Sequence, residues 1–289
     1  MSNLNQKLLV PAALVLCVFT VFGLIRQQPR NARAILNETP TPADAKIAYG
    51  KDPNQFGELR VPKGNQVKRP YPVAVVLHGG CWMAEYGLGY MGHVSADLTA
   101  HGFATWNLEY RRVGNAGGGW PGSLEDVRAG VQHLSKLSKE YALDLQRVIF
   151  IGHSAGGHLA LLLGAQRNAE VKICGVVSLA GITDLRFTGT ACDANVPMLM
   201  SGKADEQAML YDQASPLKLL PLGIKQLIVQ GKEDRIIPAD MATSYVAAAQ
   251  AKGDNAQLVL LENAGHFEVV DPQAAAWKTV RDHILTLCP

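Results

Sequence analysis

One stretch restricts the fold of this chain more than any other. An apolar, β-branched run, Val148-Ile149-Phe150-Ile151, stops at Gly152-His153-Ser154-Ala155-Gly156-Gly157, and a Leu/Ala-rich helical pattern, His158 to Gly164, starts at once. A strand that becomes a helix with no loop between them is a sharp elbow, with Ser154 at its apex. Glycines must flank the apex because a Cβ there would strike the neighbouring strand and helix. The Ser154 hydroxyl then sits at a helix N-terminus, where free backbone N–H groups and the positive end of the dipole favour an oxyanion. An inert glycine-rich βα turn would need the same glycines, so the partners of Ser154 decide whether the turn is chemical.

The chain around the elbow alternates strands and helices. Lys46–Tyr49 and Phe56–Val61 read as two edge strands across the turn signal Asp52-Pro53-Asn54. Pro72–Leu77 is the first fully buried strand and runs into His78-Gly79-Gly80-Cys81-Trp82. A helix over 89–100, a strand at Phe103–Leu108 and a helix from Ser123 to about Tyr141 follow, with Glu125 and Asp126 in the first turn of that helix. After the elbow come strands at Ile173–Leu179, Gln226–Gln230 and Gln257–Leu261, and helices over 239–252 and 272–286. This alternation predicts a mostly parallel sheet of about eight strands with helices on both faces, an α/β fold. Gly181–Pro221 breaks the rhythm and reads as a small cap insertion over the C-terminal ends of the strands, where open α/β sheets bind ligands.

A serine hydroxyl needs a base. Of the eight histidines, His266 stands in a loop after the last predicted strand. His153 and His158 belong to the elbow, and His93, His101, His133 and His283 fall in or beside helices. The imidazole in turn needs an acceptor that fixes its tautomer. Asp234, just past the strand Gln226–Gln230, is the first choice over Glu233 and Asp184. Oxyanion donors are expected from the Ala155 N–H and from the glycine loop at Gly80 and Cys81, within a register of one residue. His78 is expected to brace that loop. Trp82 is either a pocket wall or packing, and Trp120, beside Gly117-Gly118-Gly119, is the second candidate for a substrate pocket. Neither glycine cluster reads as a phosphate-binding loop: Gly152–Gly157 lacks a glycine that G-x-G-x-x-G requires, and Gly117–Gly119 does not follow a strand directly.

The first 34 residues read as a separate element. Leu8 to Ile25 is apolar, Arg26, Arg30 and Arg33 follow, and Ala32-Arg33-Ala34 fits a small-x-small cleavage site. The segment is expected to be a secretory signal peptide or an uncleaved membrane anchor, which places the protein outside the cytoplasm or attached to a membrane. It carries four basic residues and no acid, leaving 23 basic against 25 acidic residues, a net charge of −2, over 35–289. Nothing in that balance favours nucleic acid as a partner. Four cysteines remain, Cys81, Cys174, Cys192 and Cys288. In an exported chain they permit two disulfides in any of three pairings, with buried free thiols as the alternative.

From about Ile47 onward the chain resembles an α/β-hydrolase. His78-Gly79-Gly80-Cys81-Trp82 and Gly152-His153-Ser154-Ala155-Gly156-Gly157-His158-Leu159 are similar to the H-G-G-x-W and G-H-S-A-G-G-H-L motifs of kynurenine formamidase-like and carbohydrate-esterase-like enzymes. The contexts of Asp234 and His266 also occur in prolyl-oligopeptidase-type catalytic domains. The resemblance implies an eight-stranded α/β-hydrolase sheet, a Ser154–Asp234–His266 triad and no metal or organic cofactor. It makes a serine esterase acting on small-molecule esters the leading expectation. An arylformamidase or a peptidase, acting on amides, is the alternative within the fold. A hydrolase-fold binding protein without catalysis is the alternative outside it.

Overall fold

The computed structural model describes residues 32–64, 68–166 and 171–288. The apolar run Leu8–Ile25 lies outside them. Among the described residues no helix is long and apolar enough to cross a membrane. The described chain opens with a 3₁₀ turn, Ala32–Asn37, whose Ile35 is fully buried. This turn runs across the expected boundary at residue 34.

The strands are β1 Ala45–Ala48, β2 Phe56–Arg60, β3 Tyr71–Leu77, β4 Ala104–Leu108, β5 Leu143–His153, β6 Ile173–Leu179, β7 Gln226–Gly231 and β8 Ala256–Leu261. They form one eight-stranded sheet in the order β1-β2-β4-β3-β5-β6-β7-β8. β1 and β2 are antiparallel to their neighbours, and all the other pairs are parallel. The helices are α1 Met91–Ala100, α2 Gly122–Gln132, α3 Leu134–Leu137, α4 Ala155–Gly164, α5 Val196–Met200, α6 Ala208–Ala214, α7 Ala239–Ala251 and α8 Ala275–Leu285.

Both faces of the sheet are covered because its central strands carry apolar side chains on both sides. Alternate side chains feed two cores. Val73, Val75 and Leu77 of β3, with Val148 and Phe150 of β5, pack under α2, α3, α4 and α7. Ala74, Val76, Ile149 and Ile151 point to the other face, against α1, α8 and Ile35. A third apolar cluster lies over the edge of the sheet. There Ile182, Leu185, Cys192, Val196, Leu199, Met200, Tyr211 and Ala214 of the β6–β7 segment pack with Trp82, Ala155, Ile237 and Met241.

One helix differs from expectation. The segment predicted as a single helix from Ser123 starts at Gly122 and divides at His133 into α2 and α3. Ser123 does not cap it. Its Oγ donates to the Arg111 carbonyl (2.6 Å) and accepts from Gly119 N–H (3.2 Å). Asp126 turns the same way and receives the Arg111 guanidinium and backbone N–H. The polar residues of this first turn hold the glycine-rich loop 111–119 instead of the helix end.

The register brings the chemistry to one edge. Leu77 pairs with Gly152, His153 with Leu179 and Gly231 with Leu261, so the loops after β3, β5, β7 and β8 leave the sheet side by side. From β3 the chain crosses to β4 on one side and then back over to β5 on the other. The crevice between β3 and β5 is therefore the topological switch point, where an open α/β sheet receives ligands.

Candidate active site

Ser154 sits between β5 and α4 with φ 56° and ψ −120°. A backbone in this region strains any residue with a Cβ, by about 1–3 kcal/mol, and such strain persists only where the surroundings fix it. Here they do. Ser154 N–H donates to Leu179 O (2.9 Å), and Ser154 O accepts from His158 N–H (3.1 Å). The flanking glycines leave no alternative packing. A Cβ on Gly152 would come within 2.0 Å of the Gly156 carbonyl oxygen, and one on Gly156 within 2.3 Å of the Leu77 carbonyl oxygen.

His266 and Asp234 arrive from the loops after β8 and β7. His266 Nδ1 lies 2.7 Å from Asp234 Oδ2, with both side chains buried. Asp234 is held at both oxygens. Oδ2 also accepts from Gln230 Nε2 (2.9 Å), and Oδ1 accepts from Ile236 N–H (2.7 Å) and Ile237 N–H (2.9 Å). Burial alone would raise its pKa. The hydrogen bond and charge of His266 and the two backbone N–H groups outweigh burial and hold the carboxyl below its ordinary range. The rival carboxylates do not reach His266: Glu233 is exposed, and Asp184 accepts from Arg186 N–H (3.0 Å).

Ser154 and His266 open on one cavity of about 330 Å³, with Gly80, Cys81, Met83, Tyr86, Tyr90, Phe267 and Ile236 on its walls. His153 from β5, Leu36 and Arg33 from the N-terminal turn, and Ala191 and Asn195 from the β6–β7 segment complete it. Neither predicted pocket tryptophan lies on this wall. Trp82 is fully buried behind the glycine loop, and Trp120 packs against the apolar clusters, with its backbone N–H donating to Leu199 O (2.8 Å).

The loop after β3 keeps some of its N–H groups free. Gly79 N–H donates to the Tyr90 hydroxyl (2.7 Å), whereas those of Gly80, Cys81 and Ala155 find no acceptor among the described residues. Gly80, Cys81 and Trp82 all have positive φ, at 109°, 47° and 60°. His78 is fixed from both sides of its ring, with Nδ1 2.8 Å from Gly79 O and Nε2 2.9 Å from Glu109 Oε1. Glu109, directly after β4, also meets Arg112 Nη1 (3.0 Å) and accepts from Tyr110 N–H (3.0 Å) and Leu88 N–H (3.2 Å). Burial pushes its pKa up, but the neighbouring His78 and Arg112 charges and these hydrogen bonds bring it below the ordinary value.

A second chain of bonds joins the glycine loop to the histidine loop. Tyr90 Oη, which accepts from Gly79 N–H, lies 2.7 Å from His153 Nδ1, and His153 Nε2 lies 2.9 Å from the His266 carbonyl oxygen. Complete burial and the nearby His266 ring push the His153 pKa well down. A neutral ring with its proton on Nε2 satisfies both contacts: it donates to His266 O and accepts from Tyr90 O–H. Sequence reasoning missed Tyr90 and Glu109. A charged residue directly after a buried strand was the one local signal for Glu109, and Tyr90 carried none.

Among the described residues no group of three His, Cys, Asp or Glu side chains is placed to hold a metal ion. The four cysteines pair as Cys81–Cys192 and Cys174–Cys288.

Comparison with known proteins fits this geometry. Esterase LipC of Mycobacterium tuberculosis is 25% identical over 248 residues, which cover 78% of this chain and 60% of LipC. The chain spans about three fifths of the length of the curated relatives it matches. A truncated carbohydrate esterase from gut microbiota superposes with a TM-score of 0.72 over 90% of this chain and 98% of its own, at 19% identity. Esterase B from Lactobacillus rhamnosis gives 0.74 over 89% of each chain, also at 19% identity. These likenesses in structure establish an α/β-hydrolase fold. Residues 59–248, about two thirds of the chain and the span from β2 to α7, match the BD-FAE family, and the protein belongs to that family of α/β-hydrolases.

Proposed function

We propose that the protein is a serine hydrolase that cleaves carboxylic esters through an acyl-enzyme at Ser154. The observation that carries this reading is the shared cavity. Ser154 opens onto it at the elbow, and so does His266, whose far nitrogen is engaged by Asp234 at 2.7 Å. His266 Nε2 takes the Ser154 proton as Oγ attacks the ester carbonyl, and Asp234 holds the ring in the required tautomer and stabilises the imidazolium. The oxyanion is received by the N–H groups of Gly80, Cys81 and Ala155, each free of any other acceptor among the described residues. His266 then returns the proton to the leaving alcohol, and the same steps with water release the acyl group. The relatives named esterases support this choice of substrate, and a cavity of about 330 Å³ suits small to medium acyl groups.

The test is hydrolysis of p-nitrophenyl acetate by the purified protein beside Ser154→Ala. Turnover by the wild type alone is expected. Equal turnover by both, or none by either across a panel of esters and amides, would refute the reading, and the second result would favour a binding protein.

We further propose that the protein works outside the cytoplasm, exported or held at a membrane by its N-terminal segment. Two disulfides support this, since such bonds persist in oxidising compartments. Fractionation of cells expressing the full chain should find the oxidised form outside the cytosol. Recovery in the cytosol with all thiols reduced would contradict it.

A further inference from the structure

Two consecutive residues of the glycine loop are tied to the segment that covers the site. Cys81 is bonded to Cys192, which is fully buried between β6 and α5, with a Cα–Cα distance of 5.3 Å. Trp82 Nε1–H donates to His158 Nδ1 on α4 (3.3 Å), and His158 Nε2 lies 2.7 Å from the carbonyl oxygen of Ala214, the last residue of α6. Complete burial pushes the His158 pKa down to about 4, so the ring is neutral and its Nε2–H donates to Ala214. The loop thus reaches the covering segment twice, once covalently and once through a buried imidazole.

These ties act where the backbone has little else. The bonds that close the turn are Met83 N–H to Gly80 O (2.9 Å) and Val113 N–H to Trp82 O (2.8 Å). The two loop N–H groups among the proposed oxyanion donors, Gly80 and Cys81, have no partner among the described residues to fix their direction, and Cys81 and Trp82 hold left-handed conformations that residues with a Cβ avoid. Cys81 also lines the cavity beside Ser154, whereas Cys192 has no exposed surface. A small thiol entering the substrate cavity therefore meets the bond at Cys81.

We propose that Cys81–Cys192 is a positioning crosslink for the oxyanion loop, and that it is reduced by way of the substrate cavity, making turnover thiol-sensitive. This rests on the reading of Ser154 as nucleophile. With dithiothreitol, one thiolate attacks Cys81 Sγ, and Cys192 leaves as a thiolate and is protonated. The second thiol of the reagent then displaces Cys81 and closes a cyclic disulfide. Two electrons pass from the dithiol to the protein, and both cysteines end as thiols. The released loop keeps its place in the fold through Trp82 and His158, but its two N–H groups lose their fixed aim. The second disulfide is the internal control. Cys174 lies at the start of β6, the end of the strand away from the site, and its bond to Cys288 touches neither loop.

The experiment measures kcat and KM on p-nitrophenyl acetate for the oxidised and dithiothreitol-treated forms of wild type, Cys192→Ser and Cys174→Ser. Far-UV circular dichroism confirms that each form is folded. The rate of Cys81 alkylation after reduction is followed by mass spectrometry, with and without prior phosphonylation of Ser154. Wild type and Cys174→Ser should lose at least about tenfold in kcat on reduction, with KM within about threefold, given that one lost donor is worth up to about 10²–10³. Cys192→Ser should start at the reduced value and ignore the reagent. If it does not fold, the reduced wild type still decides. Phosphonylated protein should be reduced at Cys81 at least tenfold more slowly. Unchanged kcat in folded, reduced protein, or equal reduction rates with the cavity filled and empty, overturns the proposal while leaving the esterase reading in place. No turnover by the oxidised protein, with no phosphonylation, overturns both.

Discussion

At the scale of single residues, the site depends on a few fully committed polar atoms. Asp234 has acceptor bonds on both oxygens, so removing its charge unfixes the His266 tautomer while leaving the loop packed. Asp234→Asn should lower kcat by about 10³–10⁴ with an unchanged circular dichroism spectrum, and a loss of less than tenfold would argue against its role. Glu109 is the second such residue. Its carboxylate joins His78, Arg112 and two backbone N–H groups beneath the loop after β3, so Glu109→Gln leaves buried cationic groups underpaired. The expected cost is about 3 kcal/mol in urea unfolding, with a fall in kcat. The three proposed triad positions could be picked out in the chain because each stands in the loop after a strand, Ser154 at once and Asp234 and His266 within a few residues, and strand ends can be read locally. The cavity wall was not. Leu36, Tyr86, Asn195 and Phe267 come from four distant segments, and only the fold sets them facing one another. Trp82 shows the reverse case: a residue beside the site in sequence whose side chain belongs to packing behind it.

At the scale of elements, the elbow and α4 couple chemistry to stability. Gly152→Ala would put a methyl 2.0 Å from the Gly156 carbonyl oxygen, a clash that β5 and α4 can relieve only by parting. The variant should be destabilised by more than about 4 kcal/mol, read as loss of soluble, cooperatively unfolding protein. Helix α4 also carries a buried neutral imidazole. The unfolded chain binds a proton at His158 near the usual histidine pKa of about 6.5, whereas the folded chain does so only near 4. This contribution is complete above about pH 6.5 and is lost as the pH falls toward 4, because acid favours the state that takes up the proton first. Between pH 7 and pH 5 it amounts to about 2 kcal/mol, and the depressed pKa of His153 adds in the same direction. His158→Gln offers the same donor and acceptor without the proton, so it should flatten this pH slope. An unchanged slope would show that the loss arises elsewhere. Strand positions matched expectation to within about a residue, β5 apart, because apolar β-branched runs leave no helical alternative. The expected helix after residue 122 divided because Ser123 and Asp126, good helix-start residues, are taken by loop 111–119.

At the scale of the whole molecule, two crosslinks divide the work of stability and function. Each joins residues more than a hundred positions apart, with separations of 111 and 114. Such pairings cannot be read from spacing, and all three remained open until the strands were placed. Long loops of this kind typically give about 2–4 kcal/mol per disulfide. Cys174→Ser should therefore lower the unfolding free energy from a urea titration by that amount and leave kcat alone, and a large fall in kcat would deny the separation of roles. The sheet order places the switch-point crevice between β3 and β5, and the loops of β7 and β8 bring Asp234 and His266 to it. The most direct measurement is the mass of the intact protein after treatment with a fluorophosphonate, with the modified peptide sequenced. One adduct per chain, on Ser154 and lost with His266→Ala, is the expected result. An unmodified Ser154 in folded, oxidised protein would contradict the assignment of this site as a serine hydrolase.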